Sequence, residues 1–266
     1  MKFKTDAEYY ADTSHISNSM VSAYLRSPAY FKALYVDRTI VRSPTPALEF
    51  GSAVDILLTE GPEAFASEYS VKVLKRDNPE MFEENKASGK TILSPSVWEK
   101  VQQVAEKVAS TDAFKWLTDN GAQSQVTLTG ELDGVKVKGK LDFLTIVNGI
   151  AFIDDLKTTK NVLPIKFHYH SLDYGYYRQA CMYKQLVMQN FEVSMVYNRI
   201  LAVTKEDWPE VAAFTMSEAY VDRQLSTIID SLHGISSKDF SEKKVGWDQA
   251  VMIGVTKEEE QGWQDV

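Results

Sequence analysis

Between residues 15 and 118 apolar positions recur at the three- and four-residue spacing of helices that bury one face. MVSAYLRSPAYFKALY, preceded by Ser17, Asn18 and Ser19 as candidate N-caps, predicts a helix bent or interrupted at Pro28. SPTPALEF leads into a second helix over FGSAVDILLTE. The polar stretch from Lys75 to Lys90 reads as a surface excursion. Pro95 to Leu117 reads as one long amphipathic helix, with proline near its first turn and Asn120-Gly121 after its end.

The pattern then changes to strands. TLTGEL, VKVKGKLDFLTIV and IAFIDDLKTT are separated by Asp133-Gly134 and Asn148-Gly149, dipeptides that favour two-residue type I′ turns, so residues 123–159 predict a three-stranded antiparallel meander. A helix is expected from about Tyr174 to Asn190. It is followed by a strand pair (VYNRILAVT, VAAFTM), a helix from Ser217 to His233, and an acidic tail with Trp247 and Trp263 as docking anchors. Helices, meander, helix, strands and helix in that order predict an α/β or α+β fold with a mixed central sheet flanked by helices. The 266 residues suit one domain: a helical part (15–118), a meander with its helix (123–190), and strands, helix and tail (191–266).

The meander's register puts chemistry in view. If Asn148-Gly149 is a two-residue loop, Val147 pairs with Ile150 and Asp142 falls opposite Asp155. Strict alternation would put Val135, Val137, Leu141 and Phe143 on an apolar face with Ile150 and Phe152. Lys136, Lys138, Lys140, Asp142, Asp155 and Lys157 would share the other face. Opposed carboxylates have Cβ atoms roughly 4.5–5.5 Å apart and destabilise a sheet unless they share a proton, gain cationic neighbours or bind a divalent metal. Carboxylate oxygens suit Mg²⁺, and a metal with a nearby lysine suffices for phosphodiester hydrolysis. Lys140 and Lys157 neutralising the aspartates in a surface network is the alternative. Asp154 falls on the apolar side, so spacing favours Asp155 as the partner of Lys157.

Composition narrows the classes. Apolar residues make up 44% and charged residues 25%, a globular balance. No apolar run reaches the ~20 residues of a membrane helix, and the opening MKFKTDAEYYADT lacks a secretory apolar stretch, so a cytoplasmic location is expected. Cys181, the only cysteine, rules out an internal disulfide and Cys-based zinc or iron–sulfur sites, and reads as a small buried residue. A net charge of −8 argues against non-specific nucleic-acid binding, yet residues 136–166 are lysine-rich, while Glu258–Glu259–Glu260 thickens the acidic end. His168 and His170 form an HxH in a loop-like stretch without a third ligand at recognisable spacing, so a structural or DNA-proximal role is expected.

With these residues in place the chain resembles the PD-(D/E)xK nuclease superfamily, and most of all the RecE-type phage exonucleases (exodeoxyribonuclease VIII and its relatives). Leu141-Asp142 matches their acidic motif, Asp155-Leu156-Lys157-Thr158-Thr159 their D-x-K-T-T strand, and Gln179 to Tyr183 their Q-x-x-x-Y helix. ISNSMVSAYLRSPAYF, LEFGSAVDILLTEGPEAFASEY and GKTILSPSVWEKV extend the likeness over most of residues 15–240. Asp55 stands where these enzymes usually carry histidine, and a carboxylate is at least as good a Mg²⁺ ligand.

The resemblance implies Mg²⁺ or Mn²⁺ held by Asp55, Asp142, Asp155 and the Leu156 carbonyl. Lys157 would orient or activate water, and Gln179 would hold Lys157 or the phosphate. Tyr183 would contact DNA or buttress Gln179. Ser52, Lys140 and Arg178 are the remaining DNA-binding candidates, and Lys184 reads as solvated surface. It further implies a 5′-to-3′ exonuclease on linear double-stranded DNA ends, a ring-shaped homo-oligomer and a single-strand-annealing recombinase as partner. Three alternatives share the same residues: another nuclease of the superfamily, a non-catalytic DNA-binding relic, and a protein-interaction domain with a charged sheet face.

Overall fold

The computed structural model describes residues 3, 5–238 and 240–241; Trp247, Trp263 and the Glu258–Glu259–Glu260 run lie outside them. The chain begins with α1 (Asp6–Ala11), the short β1 (Ile16–Ser17), α2 (Asn18–Arg26) and α3 (Pro28–Phe31), then a π-turn over Lys32–Val36. Ser17 caps α2 by accepting from the Met20 N–H, and Ser27 with Pro28 restarts the helix, the interruption expected at that proline. Next come α4 (Pro46–Thr59), α5 (Gly61–Glu68), β2 (Tyr69–Val71), α6 (Pro79–Ala87), β3 (Thr91–Leu93), α7 (Pro95–Ala109) and α8 (Asp112–Asp119).

The second half holds β4 (Gln123–Leu132), β5 (Val135–Val147), β6 (Ile150–Thr159), α9 (Pro164–Asp173) and α10 (Tyr176–Asn190). It ends with β7 (Met195–Thr204), β8 (Val211–Thr215), α11 (Glu218–Asp222) and α12 (Gln224–Ser236).

The meander forms as its turns predict. Asp133 and Gly134 (φ 47° and 77°) and Asn148 and Gly149 (φ 51° and 75°) take the paired left-handed conformations of type I′ turns. Val147 pairs with Ile150 and the ladder runs to Phe143 opposite Asp154. The six-stranded sheet is mixed, in the order β1-β5-β6-β7-β8 with β4 on the other edge of β5. β1 runs parallel to β5 and β7 parallel to β6, while the remaining pairings are antiparallel. One side of the sheet packs on α2, α10 and α12 through Leu128, Val137, Leu141, Leu144, Ile153, Leu186 and Leu232. The other side packs on α4, α7 and α8 through Val54, Val104, Val108, Leu117, Phe143, Leu201 and Val203.

Four local expectations need correction. The helix expected over Pro95–Leu117 breaks at Ser110–Thr111, because the Thr111 hydroxyl accepts from the Phe114 N–H and caps a new helix. The turn lets Phe114 and Leu117 reach Phe143. The excursion at 75–90 contains α6, capped by Asn78 accepting from the Met81 N–H. His168 and His170 lie on α9 rather than in a loop, since Pro164 at its start presets the first helical turn. The helix from Ser217 is two pieces, α11 and α12, meeting at Arg223.

The division of the meander into an apolar and a charged face also fails. Val137 and Leu141 join the core under α10, whereas Phe143 joins the core on the opposite side with Leu117. Residues 141 and 143 would share a face in a regular strand. β5 therefore changes faces at Asp142, and its partner in register, Gln125, takes a left-handed φ of 51° and drops out of the β4–β5 ladder.

Candidate active site

The face change coincides with a gap in the sheet. Along the edge of β5 away from β4, β1 pairs at Val137 and Lys138 and β6 pairs only from Phe143 onward, leaving residues 139–142 of β5 without a strand partner on that side. The Asp142 carboxylate fills part of the gap: Oδ2 accepts a 2.7 Å bond from the Leu156 N–H. A strand residue sends its N–H and its carbonyl to the same edge, so the Leu156 carbonyl also turns toward this gap and away from β7.

Asp155, buried at 8% exposure, sits on the α10 side. Its Oδ2 is ion-paired with the Lys157 ammonium, and its Oδ1 accepts a 2.9 Å bond from Gln179 Nε2. The same Gln179 amide reaches the Tyr183 hydroxyl at 3.1 Å, and residues four apart on α10 thus act together. Gln179 holds the carboxylate of Asp155, where the resemblance pointed to Lys157 or the phosphate. α10 comes this close because β5 has glycine at 139, where an added Cβ would lie 2.8 Å from the Tyr183 ring and from Leu186.

Asp55 enters from α4. One carboxylate oxygen, Oδ2, accepts a 3.2 Å bond from Gln125 Nε2, which also gives a 2.6 Å bond to the Thr59 hydroxyl. The other, Oδ1, is buried with no hydrogen-bond partner. Asp55, Asp142, Lys140, Gln125, Gln179 and Tyr183 line one open cleft of about 460 Å³, whose far wall carries Tyr9, Ser17, Asn18, Ser19, Ser22 and Arg42. α4 approaches β6 at Gly51, where a Cβ would come within 3.1 Å of the Thr158 hydroxyl.

The charges are mutually perturbed. Burial raises the Asp55 carboxyl to about 6, Asp155 adds to the rise, and Gln125, Lys157 and Lys140 oppose it. Burial drives the Asp142 carboxyl well above the ordinary range, with Asp155 and Asp55 reinforcing it. Burial works against the Lys157 ammonium, but Asp155 and Asp142 outweigh it and hold Lys157 above its usual pKa. Three carboxylates thus feel one another across a small space, with Lys157 and then Lys140 compensating.

Among the described residues no three His, Cys, Asp or Glu side chains are drawn together tightly enough to enclose an ion as they stand. The donor chemistry nevertheless fits a hard divalent cation. The orphaned Asp55 Oδ1, the Asp142 and Asp155 carboxylates and a turned-in carbonyl are all oxygens, and burial together with neighbouring carboxylates raises the proton affinities of Asp55 and Asp142, which a cation would offset.

The other sequence candidates are placed as follows. Ser52 is exposed on α4. Lys140 lines the cleft. Arg178 is held on α2, its Nη2 donating 2.7 Å to the Ser22 hydroxyl and its Nε 3.3 Å to Asn18 Oδ1. Lys184 is buried and paired with Asp222 and Glu218 at 2.8 and 2.9 Å, a correction to the solvated reading: α11 folds over it. Cys181 is buried. Lys138 lines the same cleft but is held under α1, donating to the Tyr9 and Asp12 carbonyls and pairing with the Asp12 carboxylate at 3.3 Å. Asp154 points to the opposite side of the sheet, in a two-bond pair with Arg199 at 2.6 and 2.7 Å.

Sequence reasoning missed Gln125, Thr59 and Tyr176, whose ring lies 5.1 Å from the Lys157 ammonium. Gln125 was within reach, because the register of the Asp133-Gly134 turn carries it opposite Asp142. Tyr176 was not, since nothing in the sequence says that α9 and α10 meet over β6.

A family profile described as "PDDEXK-like domain of unknown function" (DUF3799) matches residues 17–242. A crystal structure from Eubacterium rectale, described provisionally as an exonuclease, aligns over 98% of both chains at 19% identity and a TM-score of 0.67, a likeness of fold. The structure of the protein SSO0001 aligns over 68% of this chain and 83% of its own at 16% identity, and its TM-score of 0.29 supports no argument. No curated protein matches in sequence. No helix among the described residues is long and apolar enough to cross a membrane.

Proposed function

The chain belongs to the PDDEXK-like family, and on that premise we propose that it is a divalent-metal-dependent DNA nuclease acting through Asp142, Asp155 and Lys157. The observation that carries this reading is the meeting of three acidic side chains, one lysine and one glutamine at the break in β5, with Asp55 Oδ1 left unpartnered. A structural network would pair each carboxylate, whereas this one lacks positive charge.

Mg²⁺ or Mn²⁺ would be held by Asp55, Asp142, Asp155 and the Leu156 carbonyl. The cation supplies a lower barrier to deprotonating water and offsets charge on the scissile phosphate. The chain's own groups do the rest. Lys157, kept as an ammonium by Asp155 and Asp142, orients the attacking water or hydrogen-bonds a phosphate oxygen as charge develops there. Gln179 fixes Asp155, and Tyr183 backs Gln179, so the carboxylate keeps its direction when Lys157 moves to substrate. Arg178 acts by tying α10 to α2, the wall of the cleft opposite the carboxylates.

The finer reading follows the RecE-type resemblance: a 5′-to-3′ exonuclease on linear double-stranded ends, leaving 3′ tails for an annealing recombinase, and working as a ring. It is tested with duplex DNA labelled at one 5′ end, incubated with Mg²⁺, Mn²⁺ or chelator, beside Asp155→Ala. Metal-dependent release of short 5′-labelled products, absent in the variant and on circular DNA, is the expected result. Cutting of circular DNA would move the protein to an endonuclease of the same family, and binding without cleavage would mark a non-catalytic relic.

A further inference from the structure

Six of the ten residues from His168 to Tyr177 are aromatic or imidazole rings, and the reaction outlined above uses none of them directly. Some are core. Tyr177 packs against the core and its hydroxyl bonds His168 at 3.0 Å, beside Phe167, which stacks on Phe214 at 4.6 Å and 10°. Tyr174 is different: it is 65% exposed, and its ring lies 4.4 Å from that of His170 at an interplanar angle of 26°. One face of Tyr174 is thus backed by a flat ring while much of the side chain stays in water.

That stack leads to the catalytic lysine. His170 meets Tyr176 edge-on at 5.5 Å, with its Nε2 3.1 Å from the Tyr176 hydroxyl. Tyr176 in turn lies 6.0 Å from Tyr174 and 5.1 Å from the Lys157 ammonium. Tyr174 is therefore one ring-to-ring step of 6.0 Å and one ring-to-ammonium step of 5.1 Å from Lys157, about the reach of two or three nucleotides along a strand. Its position is fixed by the joint between α9 and α10. Gly175 turns the chain at φ 68°, and a Cβ there would lie 2.4 Å from the Arg178 guanidinium, which is itself tied to α2.

An exposed, backed ring is a surface for another flat ring. Bases inside a duplex present only their edges, so a face is available from an unpaired base or from the last pair at an end. Lys160 and Lys166, exposed on the approach to α9 and on α9 itself, set positive charge beside the path. Exposed Asp173 is the opposing neighbour. A protein partner would explain exposure, but not a two-ring stack that joins, through Tyr176, the ring beside the Lys157 ammonium.

Building on the nuclease reading, we propose that Tyr174, stacked on His170, is a platform for an unpaired nucleobase of the strand whose phosphate lies at Lys157. The protein would accordingly favour DNA with a frayed or single-stranded terminus over internal duplex.

The test is binding, in Ca²⁺ to limit cleavage, of a duplex whose frayed end carries 2-aminopurine, alongside cleavage in Mg²⁺. The wild type should quench the 2-aminopurine and bind the frayed end more tightly than an equal length of closed, hairpin-capped duplex. Tyr174→Phe should keep both properties. Tyr174→Ala, at an exposed position, should fold normally, lose the quenching and weaken frayed-end binding roughly tenfold, leaving capped-duplex binding unchanged. If the wild type binds and cuts DNA but Tyr174→Ala matches it in quenching and affinity, the platform is refuted and the nuclease reading stands. If Tyr174→Ala changes only the sedimentation of the protein, the ring belongs to a contact between copies and the platform is likewise refuted. A wild type that binds and cuts no DNA in any metal overturns both.

Discussion

Replacing Asp55 with Asn should stabilise the metal-free protein, contrary to the usual effect of altering a buried polar residue. In the folded chain the Asp55 carboxyl titrates at about 6 against an ordinary 3.8, chiefly because of burial and then Asp155. Its folded-state pKa is raised, so the folded protein holds the proton more tightly than the unfolded chain. Stability then falls as pH rises through the window from about 4 to 6 and stays lower above it. A shift of about two units corresponds to roughly 3 kcal/mol by pH 7.5. Asn keeps an acceptor for Gln125 and removes the charge, although its amide inherits the unpartnered position of Oδ1, which returns about 1–2 kcal/mol of the gain.

The net expectation is about 1–2 kcal/mol of added stability at pH 7.5 in chelator, shrinking or reversing at pH 4, where the wild-type carboxyl is already protonated. Urea unfolding at the two pH values measures it, and a protein of this size should gain about 2–4 °C in Tm per kcal/mol. Addition of 10 mM Mg²⁺ should reverse the order, because the wild type gains stability from the bound ion and the variant loses a ligand. If Asp55→Asn is less stable than wild type by more than about 1 kcal/mol in chelator at pH 7.5, Asp55 is a structural acceptor and the reasoning fails.

Lys157→Met should fold and bind metal yet lose at least about a hundredfold in single-turnover cleavage rate, the usual scale for a group that steadies the transition state. Gln179→Ala should weaken Mg²⁺ or Mn²⁺ binding by about 10–100-fold in a calorimetric titration, since it removes the bond that aims Asp155. Arg199→Met should lower unfolding stability by about 3 kcal/mol, leaving Asp154 buried without its partner. Its residual folded fraction should bind metal as wild type does, and altered metal affinity would show that Asp154 belongs to the site. Gly139→Ala should cost about 1–3 kcal/mol in denaturant unfolding, as Tyr183 and Leu186 shift from the new methyl; an unchanged midpoint would refute the close approach of α10.

The parts of this protein legible in the sequence are those set by local chemistry. Asp133-Gly134 and Asn148-Gly149 can hardly be other than type I′ turns, and they alone fix which residues of three strands lie across from one another. The acidic pair and Gln125 follow from that register. Helix breaks at Thr111 and Arg223 were not legible, because a threonine or arginine in an amphipathic run is compatible with a continuous helix until tertiary contacts decide. The same is true of Lys184, whose partners Glu218 and Asp222 are more than thirty residues away.

The faces of the meander were not legible, because strict alternation breaks within β5. Alternation holds only while the backbone keeps its regular pleat, which is interrupted at Gln125 and Asp142, next to the stretch 139–142 where β5 has no strand partner on one edge. There the β4–β5 register is kept but the regular pleat is interrupted, Leu141 and Phe143 go to opposite cores, and Asp142 is left to bond a β6 N–H with its side chain where the ladder would otherwise continue. The irregularity is also what makes the site. A regular strand would have put Asp142 and Asp155 side by side on one face, closed by flanking hydrogen bonds and open only to α10. The break instead opens a gap that admits Asp55 from α4 on one side and Gln179 from α10 on the other. Sheet order given up over four residues is thus what lets side chains from both layers of the fold converge on one point.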